Sequence, residues 1–218
     1  MIIDTSYFRS KSTFIPNAVT QPTIGANTPS AVDVLQMEID QREYEVLINA
    51  LGIAQTTELV AQFDTDFTWL PGALQKWKDL VDGKTYGDKK WNGLRYTVGT
   101  KKVSLIAFYT FFHYLRQDFS TYTTTGVQIP RAENSMGQDP SRKQAAAWNE
   151  YVRMYCGFNA SGRGYTFFSN WCGYGMRWTG SANANITEVS LLEFMQDHPD
   201  DYSTAFFKME SVVNSYGL

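Results

Sequence analysis

The sequence predicts a mainly α protein: a helical bundle with a long arm or β-hairpin between two helices, an extended N-terminal arm and an irregular insertion rich in aromatic residues and glycine. Three observations support this prediction. An almost wholly apolar segment from Val103 to Phe119 has helical spacing, a second helical pattern opens at Asp139-Pro140, and about twenty residues separate them. Helix connections usually take about two to eight residues. We therefore expect the longer connection, residues 120–138, to work as a binding arm.

Residues 1–29 have the composition of an extended arm. Apolar residues such as Ile2, Phe8 and Phe14 are spread among Thr, Ser, Asn and Gln, and three prolines interrupt the segment. A segment with so few apolar residues has no core of its own, so we expect it to pack against another surface. Phe8 and Phe14 are its candidate contact residues.

The predicted bundle core spans residues 30–156 and begins with a long helix. Ser30 is a suitable N-cap, and the glycine at position 52 is a suitable stop. Between them lies an apolar stripe at helical spacing, which we expect to face the core: Met37, Tyr44, Leu47, Ile48 and Leu51.

Two shorter helices are predicted next, followed by a hairpin. The first helix runs from Thr56 to Phe63, and the second begins at Pro71 and ends at Gly83. Asn92-Gly93 is the strongest local signal for a tight hairpin turn. We expect this hairpin to precede the central helix.

The central helix, from Val103 to Phe119, is apolar on two faces, which predicts that it lies in the middle of the bundle. Asp139 and Pro140 then give the N-cap and first turn of a helix that ends at Gly157 and packs on the central one. The main stripe of the central helix consists of Leu105, Phe108, Tyr109, Phe112, Leu115 and Phe119.

Residues 157–185 form the aromatic and glycine-rich insertion, and residues 186–218 predict two short helices separated by Pro199. Trp171, Tyr174 and Trp178 of the insertion have two interpretations. Aromatic side chains give large contact area with few rotatable bonds, which favours a protein contact. The same residues beside Asn170 and Asn183 could stack on sugar rings, which leaves a carbohydrate-binding module as an alternative function.

Charge and cysteine content exclude several classes of function. Nineteen basic and twenty-two acidic residues give a net charge of −3, without the dense basic cluster of a nucleic-acid binder. Cys156 and Cys172 are too few for a disulfide framework and lack zinc-site spacing, so we expect free thiols and no metal. Neither a signal sequence nor an apolar run long enough for a membrane span is present, which predicts a soluble protein made in the cytosol.

Residues that could carry out catalysis are few. His113 lies inside the apolar helix, where a core imidazole is the expected role, and His198 lies at a helix end, where it can cap carbonyl groups. A Cys156/His113 hydrolase pair remains as a second alternative, although no protease signature surrounds either residue. Glycine-containing segments lack the following Lys and helix that bind phosphate. We expect no catalytic residues and no cofactor.

Several segments resemble one family when taken in order. Lys102–Arg116, Thr123–Val127, Ala132–Ser135 and Ala147–Val152 resemble the head-tail connector proteins, the neck or ring adaptors of tailed bacteriophages, in particular those of crAss-like and related phages of Bacteroidales. The closing residues Asn214–Leu218 are also similar to the ends of such proteins. Residues 1–29 and 157–185 depart from the minimal four-helix adaptor.

The resemblance implies a virion protein without catalytic residues. Such subunits form a ring, typically twelvefold, that extends the DNA channel below the portal and gives the tail a docking surface. The implied partners are further copies, the portal and other neck or tail rings, while DNA passes through the lumen without specific binding. Because each subunit of such a ring must reach its neighbour, the arms are the candidate contacts: Tyr122, Thr124, Val127 and Ile129, with Trp171, Tyr174, Trp178, Phe8 and Phe14.

Overall fold

The computed structural model of the chain describes residues 2–16, 18, 31–64, 67–118, 121–123, 126–128, 141–157 and 187–209. The chain divides into two compact units, each built from two separate stretches. Unit 1 combines Met1–Glu43 with Arg95–Val152, and unit 2 combines Tyr44–Leu94 with Arg153–Leu218. A division into consecutive segments, as predicted from the sequence, does not express this interleaving.

The described part of the chain is mainly helical, as predicted, and also contains small sheets. Its helices are a 3₁₀ helix at Thr5–Arg9, α1 (Ala31–Val60), α2 (Gln75–Asp82), α3 (Leu105–Asp118), α4 (Ser141–Tyr155) and α5 (Leu191–Asp197). Its strands are β1 (Lys84–Tyr86), β2 (Lys89–Trp91), β3 (Arg95–Val98), β4 (Lys101–Ser104), β5 (Thr121–Thr123), β6 (Gly126–Gln128) and β7 (Thr187–Glu188). Within these ranges, every helix is too short or too polar to cross a bilayer.

Helix α3 occupies the middle of unit 1. Every residue from Leu105 to His113 is buried, so the predicted central position of this helix is confirmed. The helix begins two residues later than predicted, because Val103 and Ser104 belong to β4, which pairs with β3. The Ser104 hydroxyl accepts a hydrogen bond from the Ile106 backbone N–H at 3.1 Å and so caps the start of the helix.

Aromatic side chains pack α4 onto α3. The Phe112 and Trp148 rings lie 4.7 Å apart between centroids, and those of Tyr109 and Tyr151 lie 4.9 Å apart. The Gln144 side-chain amide also donates a hydrogen bond to the Leu115 carbonyl at 3.3 Å. The predicted packing of the second helix on the central one is confirmed.

Unit 2 has a core of large aromatic residues between α2, α5 and a three-stranded sheet. In this sheet β1 is antiparallel to β2, and β2 is parallel to β7. The Trp91 ring stacks on Phe194 at 5.8 Å, and its indole N–H donates to the Leu80 carbonyl at 2.8 Å. The Tyr202 ring meets both Trp77 and Phe194. The Ser190 hydroxyl caps α5.

A hairpin, β3–β4, precedes the central helix as predicted, but the turn predicted at Asn92-Gly93 is wrong. Residues 87–88 turn the chain between β1 and β2, residues 99–100 do so between β3 and β4, and Asn92-Gly93 only connects β2 to β3. Gly93 has φ 98°, and a Cβ atom there would lie 2.5 Å from the Val81 carbonyl oxygen. This glycine therefore serves a close approach between two backbone segments instead of a tight turn.

The stripe predicted for α1 is partly wrong, since Met37 and Tyr44 are exposed. The buried face includes a charged residue, Glu43, so a search for apolar residues alone selects a neighbouring face. The buried residues at helical spacing are Leu35, Ile39, Glu43, Val46 and Ala50.

The glycine signals in and after α1 are confirmed. The helical dihedral angles break at Gly52, where φ is 75°, before the helix continues to Val60, and α2 ends at Gly83.

The predicted helix after Pro199 is wrong within the described residues, because 200–209 contain only turns and irregular backbone. Its side chains instead pack individually, as in the stacking of Phe207 on Tyr155 at 4.5 Å.

Substituting Gly93 with alanine tests the close backbone approach in unit 2. The added Cβ would clash with fixed backbone atoms and strain a positive φ, so we expect Gly93→Ala to lower the free energy of unfolding by about 2 to 4 kcal/mol. Gly99→Ala is the control, because its Cβ would meet no atom within 4 Å and should cost only about 1 kcal/mol of backbone strain. Equal losses in urea denaturation would contradict the packing role.

Candidate assembly surfaces

A buried carboxylate holds the beginning of the chain in unit 1. Both oxygens of Glu43 accept a hydrogen bond from the Ile2 N–H at 2.8 Å, and one accepts a second from the Ile3 N–H at 3.2 Å. On the opposite side of the same backbone, Arg95 donates to the Ile2 carbonyl at 3.2 Å. These contacts fix residues 2–3 on the buried face of α1.

Burial dominates the electrostatics of Glu43. Loss of solvent raises the pKa of its carboxyl group, and the hydrogen bonds from Ile2 and Ile3 lower it without fully offsetting the burial. The pKa therefore lies above the ordinary value for glutamate. Ionising this carboxyl group in the folded protein is correspondingly costly.

Residues 4–9 of the N-terminal segment also pack on unit 1. The 3₁₀ helix contacts both α3 and β4. The Lys102 ammonium lies over the Tyr7 ring at 5.2 Å from its centroid, donates to the Ser6 hydroxyl at 2.6 Å and pairs with Asp4 at 3.7 Å. These residues thus pack on the core of their own chain.

The two candidate contact residues of this segment have different positions. Phe8 is 0% exposed, which corrects its assignment as a contact for another subunit: it is a core residue in this conformation. Phe14 is 57% exposed and stays a candidate for an external contact. Polarity and prolines in the sequence do not distinguish the two, because the burial of Phe8 depends on the distant α3 and β4.

The arm between α3 and α4 contains a β-hairpin. Strands β5 and β6 pair antiparallel, and their register places Tyr122 opposite Val127. Thr124 and Ile129, the other candidate residues of the arm, lie outside the described residues, as do Trp171, Tyr174 and Trp178 of the insertion. The structure therefore brings together Tyr122 and Val127 among the nine candidates.

A polar cluster joins the β1–β2 hairpin to α5. Asp197 accepts hydrogen bonds from the Tyr86 hydroxyl at 2.9 Å and from Lys89 at 2.6 Å, and Lys89 also pairs with Glu193 at 3.2 Å. The Tyr86 ring packs on His198 at 4.7 Å. His198 caps the end of α5, as predicted.

The pKa shifts in this cluster oppose proton transfer at neutral pH. Burial and the bond to Asp197 raise the pKa of Tyr86, and the same carboxylate raises that of Lys89. Burial alone would raise the pKa of Asp197, but the bonds from Lys89 and Tyr86 outweigh it and leave the pKa below its ordinary value. Each group is held in its common neutral-pH protonation state, which suits a structural tie.

The residues of the alternative hydrolase site also have structural environments. Burial raises the pKa of the Cys156 thiol to about 11, so the nucleophilic thiolate is scarce at neutral pH. His113 is buried in unit 1 with its ring against Tyr109 at 4.4 Å and Phe112 at 5.2 Å, the core environment predicted for it. Cys172 lies outside the described residues.

Sequence reasoning missed Glu43, which the structure makes the anchor of the N-terminal segment. The sequence signal is an acidic residue at helical spacing with buried apolar residues. The role of this acid follows only from the position of the Ile2 backbone that it binds.

Across the described ranges, no three His, Cys, Asp or Glu side chains are grouped to hold a metal ion.

Comparison with known proteins yields no relative. No protein-family model matches the chain, and neither the curated proteins nor the solved structures contain a match.

The pH dependence of stability tests the Glu43 anchor. Because its pKa is raised on folding, its contribution to stability is complete below the unfolded value of about 4.3 and is lost as the pH rises through the folded pKa. The unfolding free energy of the wild type minus that of Glu43→Gln should therefore fall as the pH rises above about 4.3.

Urea denaturation at each pH measures this difference, with Glu45→Gln as the control for losing one acid on the same helix. A difference that grows toward neutral pH would show that the hydrogen bonds from Ile2 and Ile3 outweigh burial and would contradict the raised pKa of Glu43.

Proposed function

We propose that the chain is a structural subunit of a tailed-phage virion. It forms a ring in the neck between portal and tail, extends the DNA channel and provides a docking platform. The observation that carries the proposal is the arrangement of the segment that resembles head-tail connectors. That segment consists of helix α3, buried from Leu105 to His113, a connection containing the β5–β6 hairpin, and a helix α4 that packs on α3.

The packing of α3 and α4 supports an assembly role for the connection. The contacts that join these helices are made by residues on the helices themselves: Tyr109, Phe112 and Leu115 on one side, and Gln144, Trp148 and Tyr151 on the other. We propose that the arm reaches a neighbouring subunit, as a ring with different contact surfaces on each copy requires.

The chemistry of the polar clusters supports a role without catalysis. Tyr86, Lys89 and Asp197 stabilise one another in their common protonation states, and the thiol of Cys156 is kept protonated. A net charge of −3 suits a channel through which DNA passes without being held.

The burial of Phe8 leaves fewer residues for the proposed external contacts. Phe8 belongs to the core, so the proposed contacts are Phe14, the arm with Tyr122, Thr124, Val127 and Ile129, and the insertion with Trp171, Tyr174 and Trp178. The proposed partners are adjacent copies, the portal and the next ring of the neck, with a copy number of twelve as in the family that the sequence resembles.

Replacing Tyr122–Met136 by a short Gly/Ser linker tests the role of the arm. We expect the helical circular dichroism and the cooperative melting of the variant to stay close to those of the wild type, because α3 and α4 contact each other directly through side chains on the helices. Incorporation into phage particles, measured by quantitative mass spectrometry of purified virions, should be lost.

The control inserts the same linker at the exposed β1–β2 turn, residues 87–88, and should leave incorporation intact. If the arm variant fails to fold, the arm belongs to the core. If it folds and is incorporated at the wild-type level, the arm makes no essential assembly contact.

A further inference from the structure

A compact loop in unit 2 connects α1 to α2 and is held by its own side chains. The Phe63 and Trp69 rings stack at 4.2 Å between centroids, and their backbones form an antiparallel bridge. Asp64 accepts hydrogen bonds from the Thr68 N–H at 2.8 Å and the Thr68 hydroxyl at 2.6 Å. The Trp69 indole N–H donates to Asp82 at 2.8 Å, which ties the loop to the end of α2.

This well-fixed loop carries exposed apolar side chains. We define its apolar surface as Val60, Phe67, Leu70 and Leu74, each between 38% and 49% exposed. Phe67 has φ 55°, a backbone conformation that residues other than glycine rarely adopt and that persists only where neighbours enforce it. A rigid loop that keeps large apolar side chains in water has the character of a docking surface.

The charge within the loop itself is acidic. Asp64 lies within the loop and Asp82 is bonded to it, while Lys76, the first lysine of α2, is paired with Glu58 at 2.8 Å. Residues 60–74 include two aspartates and no basic residue. A binding partner with an apolar centre and positive charge fits this surface.

The tip of the β3–β4 hairpin in unit 1 has the complementary chemistry. Val98 is 59% exposed at the end of β3, and the exposed Lys101 follows across the turn. Residues 95–104 include three basic residues and no acidic one. Within the described part of the chain no acidic side chain pairs with Lys101. Its charge is thus available to a partner.

We propose that the apolar loop surface of one copy binds the β3–β4 hairpin tip, Val98 and Lys101, of a second copy. This inference rests on the proposed ring and identifies which surfaces join its subunits. The two surfaces differ in sign of charge and share an apolar centre, so they fit each other better than either fits itself. Contacts between unlike surfaces continue from copy to copy, and they form a ring when the rotation between copies closes.

The small size of both surfaces predicts weak binding between two isolated copies. Interfaces of this size are typical of transient complexes, so we expect a dissociation constant of about 0.1 to 1 mM in solution. Simultaneous contacts around a ring, or on a portal template, would raise the effective affinity.

Sedimentation velocity over a concentration series tests the contact with Leu70→Asp and Val98→Asp. Each variant should lose the concentration-dependent rise in sedimentation coefficient that the wild type shows. An equimolar mixture of the two should recover dimers and stop there, because each pair retains one intact loop and one intact tip. Val34→Asp and Ile53→Asp, at exposed apolar positions outside both surfaces, are the controls and should behave as the wild type.

Several results would overturn the inference: no association of the wild type at millimolar concentration, wild-type association by either variant alone, or no recovery in the mixture. Melting curves check that the variants are folded, and Lys101→Glu replaces Val98→Asp if that variant melts early. The proposed function is tested separately. Normal incorporation of both variants into virions would refute this contact and leave the proposed neck ring intact. If the protein forms the predicted dimers in solution but is absent from virions, the contact is supported and the proposed neck ring is refuted.

Discussion

Unit 1 depends on the burial of the first part of helix α3. From Leu105 to His113 every residue of α3 is shielded, so other parts of the chain must cover each of its faces. The N-terminal 3₁₀ helix covers one part and α4 another, while β4 leads directly into the first turn. Burying each large apolar side chain contributes about 1.5 to 3 kcal/mol, so the uncovered helix would be strongly unfavourable in water. The position of every neighbouring element follows from this requirement.

The Glu43 carboxylate fixes how the N-terminal segment packs on α3 and β4. Apolar side chains alone would allow the N-terminal segment to slide on α3 and β4, but hydrogen bonds from two successive backbone N–H groups fix its register. The burial of an acid costs stability at neutral pH, and Arg95 adds a contact to the same backbone from the other side. The described part of the segment that the sequence predicts to be an extended arm, residues 2–16 and 18, thereby packs on the core of unit 1. In the proposed ring, contact with neighbours is left to the hairpin arm, to Phe14 and to exposed loops.

Helical periodicity and glycine stops are local signals, which is why the sequence predicted α3, α4, α5, the break at Gly52 and the end at Gly83. The strands of the β1–β2 hairpin were not located because they are largely polar, as in Lys84–Tyr86 and Lys89–Trp91, and acquire their structure by pairing. Gly93 was assigned to a turn because close contact with Val81 is a non-local property. The same limit applies to the candidate contacts: nothing near Phe8 in the sequence indicates that distant elements bury it.

A rigid core that carries an arm and exposed loops, with polar clusters that tie elements together, is the combination expected of an assembly subunit. Cryo-electron microscopy of the neck of the phage particle that carries this chain tests the proposed role most directly. A neck subunit should appear as a closed ring of copies beneath the portal, around the DNA channel, with α3 and α4 packed as described and the arm against the adjacent copy. A neck whose density is fully accounted for by other proteins would contradict the proposed function.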